Sequence, residues 1–236
     1  EPDDDYKTSD SWRVFRIMSE FVSGFDSMAT ITRGVSVFGS ARTDEKNEYY
    51  KAAVETGELL AKAGFEVITG GGPGIMEAAN RGAQDAGGKT IGLNIGLPFE
   101  QRPNPFITPE LNFEFHYFFM RKFWFAYLAK ALVVFPGGFG TLDELSEILT
   151  LVQTQKLEKP MVILLYGTTF WKEVINFDSL VRHGMISPED MNLFQFADDV
   201  DSAFKVVRDG LVEHYLEPGS PSAVPPGEGP DIAKSV

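Results

Sequence analysis

The apolar run Ala131-Leu132-Val133-Val134-Phe135 passes directly into Pro136-Gly137-Gly138-Phe139-Gly140-Thr141-Leu142-Asp143-Glu144, and no other stretch constrains the chain as tightly. A run that is apolar at every position reads as a strand buried on both faces of a parallel sheet. Leu145, Ile148, Leu149 and Val152 then recur at the spacing of one helix face. Strand, glycine turn and helix start aim free backbone N–H groups and the positive end of a helix dipole at one spot. An anion such as phosphate is stabilised there. Glycine lets the backbone approach that anion, and the Thr141 hydroxyl serves either as helix cap or as phosphate donor. Glu144 falls about one turn into the helix, where direct contact with a phosphate would be repulsive, so its target is another part of the ligand.

The same alternation runs through most of the chain. Strands are expected at Val35–Phe38, Phe65–Thr69, Thr90–Asn94, Phe113–Phe115, Leu132–Phe135, Met161–Tyr166 and Phe194–Phe196. Helices are expected at Glu45–Ala63, Gly74–Ala86, Phe118–Ala129, from Thr141, at Thr169–Leu180 and at Asp199–Leu216. Strands alternating with helices imply a parallel sheet wound by right-handed crossovers. The expected fold class is therefore α/β, with the sheet in a single domain over residues 34–216. Ahead of it, residues 1–33 hold an amphipathic helix whose apolar face (Trp12, Phe15, Met18, Phe21, Phe25) packs on the domain or on a partner subunit. Residues 217–236 are rich in Pro, Gly and Ser without apolar periodicity, and a disordered or draped tail is expected.

Composition removes several function classes. A chain of 236 residues, 43% of them hydrophobic, is long enough for one α/β domain with a full core. It contains no cysteine, so it has neither a disulfide framework nor a cysteine zinc site. A formal charge of −13 opposes general binding to nucleic acid or to anionic membranes, yet leaves room for one small nucleotide in a local positive pocket. No signal-like or membrane-spanning apolar run is seen, and a cytoplasmic protein is expected. His116, His183 and His214 lack metal-ligand spacing, and no G-x-S-x-G elbow occurs; neither a metal nor a cofactor is expected.

A second glycine cluster, Gly70-Gly71-Gly72-Pro73-Gly74, also lies between a strand and a helix. Two such turns at the carboxyl ends of strands in one sheet would flank a ligand crevice. Gly39-Ser40-Ala41-Arg42, after the first strand, fits the same rim, either as an anion contact or as an ordinary loop. Common nucleotide motifs fail: Ile75 and Asp143 stand where G-x-G-x-x-G needs its last glycine. Ala83 through Thr90 lacks the first P-loop glycine and runs from helix to strand, so Gly87-Gly88 reads as a helix C-cap. Arg121 and Lys122 lie on an aromatic-rich helix, either as a solvated basic pair or with one of them drawn into a pocket to meet phosphate or carboxylate. Glu77 is either a first-turn acid favoured by the helix dipole or a partner for ribose hydroxyls. Met120 and Met76 are read as core filler or as base-stacking surface.

Gly70 through Asn80, Met120-Arg121-Lys122 and Pro136 through Glu144 together resemble the LONELY GUY (LOG) family of nucleoside 5′-monophosphate phosphoribohydrolases, many of them once labelled lysine decarboxylases. The resemblance spans about Val35 to Val207. The stretch His116–Lys122 and the N-terminal helix look closer to the longer-chain branch than to the compact plant-like enzymes. The resemblance implies a Rossmann-like, doubly wound sheet and a homodimer or assembly of dimers with active sites near the subunit interface. It implies a nucleoside monophosphate substrate, with Arg121 and Glu144 as the catalytic pair and Gly137, Gly138, Gly140 and Thr141 holding the 5′-phosphate. Gly39, Ser40, Gly71, Gly72, Glu77, Met120 and Lys122 complete the expected substrate-binding set. Glu77 stands where compact members often carry glycine, and Met120 where they often carry an acid. Molybdenum-cofactor carriers have related folds, so a non-catalytic nucleotide- or cofactor-binding protein is the competing reading.

Overall fold

The computed structural model describes residues 10–96 and 102–216, so the expected tail at 217–236 lies outside the described residues. The chain runs α1 (Asp10–Met28), β1 (Gly34–Phe38), α2 (Glu48–Lys62), β2 (Glu66–Thr69), α3 (Ile75–Asp85), β3 (Thr90–Ile95) and β4 (Asn112–Phe115). It continues α4 (Phe118–Leu128), β5 (Ala129–Val134), α5 (Phe139–Gln153), β6 (Val162–Tyr166), α6 (Thr168–Val174), α7 (Phe177–Arg182), β7 (Gln195–Ala197) and α8 (Val200–Leu211). Seven strands form one sheet in the order β4-β3-β2-β1-β5-β6-β7, and every neighbouring pair is parallel.

Every residue of β1 and β6 is buried, which is why these strands are apolar on both faces rather than alternating, with Ser36 the one small polar exception in β1. Val35, Val37, Ala131 and Val133 face one layer, completed by α2, α3 and α8. Phe38, Ile68, Leu132 and Val134 face the other, formed by α1 and by α4 to α7. Trp124 of α4 fills the space over Gly24 of α1, which docks the N-terminal helix on the second layer. No described helix is long and apolar enough to cross a membrane.

Local chemistry sets the element ends. Asn47 Oδ1 accepts from Tyr49 N at 2.8 Å to cap α2, and Asp199 Oδ1 accepts from Ser202 N at 2.8 Å to cap α8. After α3, Gly87 N donates to Gln84 O (2.8 Å) and Gly88 N to Ala83 O (2.9 Å), the paired bonds of a Schellman C-cap, as the sequence predicts. The single helix expected over Thr169–Leu180 is instead two. Ile175 is extended, and Asn176 Oδ1 accepts from Ser179 N at 2.9 Å, so a local side-chain cap restarts the helix as α7.

The chain winds outward from β1 to β4 on one side and from β5 to β7 on the other. The carboxyl ends of β1 and β5 therefore flank the point where strand order reverses, the position at which open α/β sheets bind ligands.

Candidate active site

Three turns meet at that point and are hydrogen-bonded to one another. Phe135 N donates to Phe38 O (2.8 Å), Ser40 N to Pro136 O (3.0 Å) and Ile75 N to Ser40 O (3.1 Å). The glycine loop after β5 is thereby fixed to the loop after β1, and that loop to the start of α3.

α5 begins with Gly138 as its N-cap and has no side-chain cap, so Thr141 does not serve in that role. Instead Thr141 folds back over the loop: a Cβ on Gly137 would lie 2.1 Å from Thr141 Oγ1, so only glycine fits. The first N–H groups of a helix have no acceptor within it, and here they face the loop with the dipole behind them. A Cβ on Gly138 or Gly140 would meet nothing within 4 Å, so the space beside the loop is open.

Arg121, in the first turn of α4, and Glu144, in the second turn of α5, form a buried pair with Nη2 and Oε1 3.6 Å apart. Their side chains are 16% and 4% exposed. The guanidinium lies 5.1 Å from the Phe118 ring centre and 5.8 Å from that of Phe125, and its buried Nε has no hydrogen-bond partner among the described residues. Burial pulls the Arg121 pKa down, while Glu144 and Asp143 push it back up. Burial also raises the Glu144 pKa from the usual 4.5 to about 7, although Arg121 and Lys122 pull it the other way. Desolvation outweighs attraction because the two charges meet at 3.6 Å rather than in a tight fork. The result is a carboxyl group poised near neutrality and a cation with unused donors, the properties expected of acid–base machinery. A Cβ on Gly70 would lie 3.8 Å from Arg121 Nη1, which places the second glycine cluster beside the pair.

The remaining expected substrate contacts divide. Gly39 packs on Ile75 with no room for a side chain, and Ser40 Oγ accepts from Arg42 N at 3.1 Å. Gly71 and Gly72 are gripped from behind: Asn104 N donates to Gly71 O (2.8 Å) and Asn104 Nδ2 to Gly72 O (3.1 Å). Glu77 Oε1 accepts from Tyr50 of α2 at 3.1 Å, in the layer opposite α4 and α5. Met120 and Lys122 sit differently from the rest. Met120 is fully enclosed in the core, so its side chain has no face to a ligand. Lys122 Nζ is bound at 2.8 Å by both Asp143 and Glu147 and braces α4 against α5 rather than standing open to an anion. Burial lowers the Lys122 pKa, but the hydrogen bonds that its ammonium donates to those two carboxylates outweigh it and hold the charge.

No sequence pattern announces the support under the second cluster. Asn80 Oδ1 accepts from Thr69 Oγ1 (2.6 Å) and Asn104 Nδ2 (3.0 Å), and Thr69 Oγ1 accepts from Gly71 N (3.0 Å). Asn104 comes from an aperiodic, Pro-rich loop, where a buried amide leaves no periodic signal. Among the described residues, no group of three or more His, Cys, Asp or Glu side chains is placed to hold a metal ion.

Sheet order and the meeting of three turns at the switch point define a Rossmann-like α/β protein with its crevice between β1 and β5. The chain belongs to the LOG family: residues 76–207, more than half its length, match the family model described as "Possible lysine decarboxylase". It is 32% identical over 160 residues to a cytokinin riboside 5′-monophosphate phosphoribohydrolase of Arabidopsis thaliana, covering 66% of this chain and 73% of that one. A probable enzyme of the same name from Oryza sativa subsp. japonica is 31% identical over 159 residues, 66% of this chain; the match spans 63% of the rice protein's own length. Among solved structures, the molybdenum cofactor carrier protein of Chlamydomonas reinhardtii aligns with a TM-score of 0.54 at 22% identity, over 77% of this chain and 99% of that one. The molybdenum cofactor binding protein of Rippkaea orientalis aligns with a TM-score of 0.55 at 21% identity, over 76% and 98%. These two likenesses concern the fold.

Proposed function

We propose that this protein hydrolyses the N-glycosidic bond of nucleoside 5′-monophosphates, of the AMP or cytokinin riboside monophosphate type, to free base and ribose 5-phosphate. The reading rests above all on the Arg121–Glu144 pair, buried 3.6 Å apart beside a helix start built for an anion. Phosphate binding alone does not call for a buried carboxyl group next to it. The plant relatives, named as phosphoribohydrolases, support the same chemistry.

In this mechanism Gly137, Gly138, Gly140 and Thr141 hold the 5′-phosphate and thereby fix the sugar for attack at its anomeric carbon. As the base departs, positive charge builds on the sugar. Ionised Glu144 stabilises that charge or orients the attacking water. The water oxygen bonds to the anomeric carbon, and its proton goes to the departing base. Arg121 holds Glu144 in register and offers its unused donors to the substrate. Decarboxylation through a lysine imine finds no support at Lys122, because an ammonium held by two carboxylates is a poor nucleophile. The same reading takes the protein as a cytoplasmic homodimer or assembly of dimers, without nucleic-acid or membrane partners. The half-exposed apolar side chains of α1 and the charge of −13 fit it.

The test is incubation of purified protein with AMP, GMP, CMP, UMP and isopentenyladenosine monophosphate, with free base scored by chromatography. Base release is expected, and Glu144→Gln is expected to lower turnover by ~10²–10⁴-fold with the fold retained. No base release, with AMP still raising the melting temperature, would replace the hydrolase by a binding or carrier protein.

A further inference from the structure

Two exposed phenyl groups stand at the mouth of the site. α4 leads directly into β5 and α5 leads out of it, so the two helices run parallel and start at the same end of the sheet. Lys122, bound to both Asp143 and Glu147, fixes their register. One turn before Lys122 on α4 is Phe118, and one turn before Asp143 on α5 is Phe139. These residues therefore head adjacent rows at the open end of the helix pair. Phe118 is 53% exposed and Phe139 is 92% exposed, whereas Phe125 of the same α4 is 1% exposed. Phe139 is flanked by Gly138 and Gly140, where an added Cβ would meet nothing within 4 Å, and its own exposure leaves the ring free. Phe118 carries the Arg121 guanidinium 5.1 Å from its ring centre, which ties the phenyl row to the buried pair.

We propose that Phe118 and Phe139 take the nucleobase of the substrate as a flat apolar ring, and so are base-positioning residues of the phosphoribohydrolase site. The proposal rests on the function assigned above. Its occupant follows from continuity: a ligand whose phosphate lies at the first turn of α5 must extend its base over the residues that border that turn, and Phe139 is the first residue of α5. Stacking on phenyl rings depends little on which base is present. The site should therefore read phosphate and sugar strictly and the base loosely, accepting enlarged aromatic bases.

The experiment compares AMP with ribose 5-phosphate, which has the same phosphate and sugar but no base. In Phe139→Ser, KM for AMP should rise about 10-fold, within the range that loss of one stacked ring produces. Inhibition by ribose 5-phosphate should stay within about 2-fold of the parent, while Phe139→Tyr should restore the parent KM. Phe118→Ser should repeat the pattern, with an added fall in kcat because Arg121 loses its platform. Calorimetric binding of AMP and ribose 5-phosphate runs in parallel. If the wild type releases no base, the functional reading fails, yet the ratio of the two affinities still tests the stack. An unchanged ratio in both serine variants overturns the proposal. So does a serine variant that changes sedimentation, because the rings would then be covered by a second copy of the chain.

Discussion

An added Cβ at Gly71 would lie 2.0 Å from Asn94, and one at Gly74 would lie 2.3 Å from the Ser40 carbonyl oxygen; at Gly138 and Gly140 it would meet nothing within 4 Å. Both glycine clusters follow a strand and start a helix, yet Gly70–Gly74 is packed and Gly137–Gly140 is open. At Gly70–Gly74, Thr69, Asn80 and Asn104 grip the turn from behind, and Gly74 holds φ +69 while its backbone touches the β1 loop. Glycine is required there so that protein can pack on protein. At Gly137–Gly140, Gly137 is needed to make room for Thr141, but Gly138 and Gly140 leave space that the chain itself does not use. One cluster shapes the scaffold, and the other keeps a place for something else.

Alanine at each cluster tests this contrast, and it carries the largest expected effect on stability. Gly74→Ala puts a side chain at φ +69 and against the β1 loop backbone, at a cost of about 3–4 kcal/mol. That corresponds to a fall in Tm of roughly 10 °C for a chain of this size. Gly138 has φ −93 and ψ −154, which alanine adopts readily. Gly138→Ala should hold Tm within about 2 °C. It should nevertheless weaken AMP by about 10-fold, because the methyl group enters the phosphate's space. If the alanine at Gly138 unfolds the protein, or leaves AMP binding unchanged, the Gly137–Gly140 cluster is another packing device.

The next effect comes from the buried pair. Glu144 titrates at about 7 in the fold against 4.5 ordinarily, so the folded state favours its protonated form. That stability is fully present below pH 4.5 and is lost as pH rises through about 7. The loss is at most ~3.5 kcal/mol, since each tenfold change in proton affinity between the folded and unfolded chain is worth about 1.4 kcal/mol. Thermal melts of the wild type and of Glu144→Gln between pH 5 and pH 8 should diverge, with the wild type losing several degrees more. Over the same range kcat/KM should rise, because the ionised carboxylate is the working form. Opposite slopes for stability and activity would mark Glu144 as a group held at a cost to the fold. Parallel slopes would remove it from the chemistry.

The strand–helix alternation was legible because continuous apolar runs and the 3.6-residue period are local signals, carried by residues a few positions apart. The glycine loops were legible as a class for the same reason, since strand, turn and helix are contiguous. Their difference was not, because Asn94 and Asn104 reach Gly71 from elements far along the chain. The break at Asn176 turned on one side-chain hydrogen bond overriding a continuous helical pattern. Arg121 and Lys122 show the limit most sharply. They are adjacent in sequence and similar in charge, yet about 100° apart on the helix, and only the packing of α4 on α5 decides which one enters the site.

That division can be tested by removing the lysine charge. Lys122 is 18% exposed and held by two partners, Asp143 at 56% and Glu147 at 34% exposure, so the bridge is largely screened by water. Lys122→Met keeps the long stem that packs between the helices and removes only the ammonium. It should cost about 1 kcal/mol of stability, seen as a small fall in Tm, and leave kcat for AMP within about 3-fold. Arg121→Met removes a cation of the same sign one residue away, and it should remove activity by the factor expected of Glu144→Gln, ~10²-fold or more. If Lys122→Met is as damaging to kcat as Arg121→Met, the two cations act as one unit and the brace is part of the site. If only the arginine matters, the open space beside Gly138 and the buried donors of Arg121 belong to a single pocket, with Lys122 holding its wall.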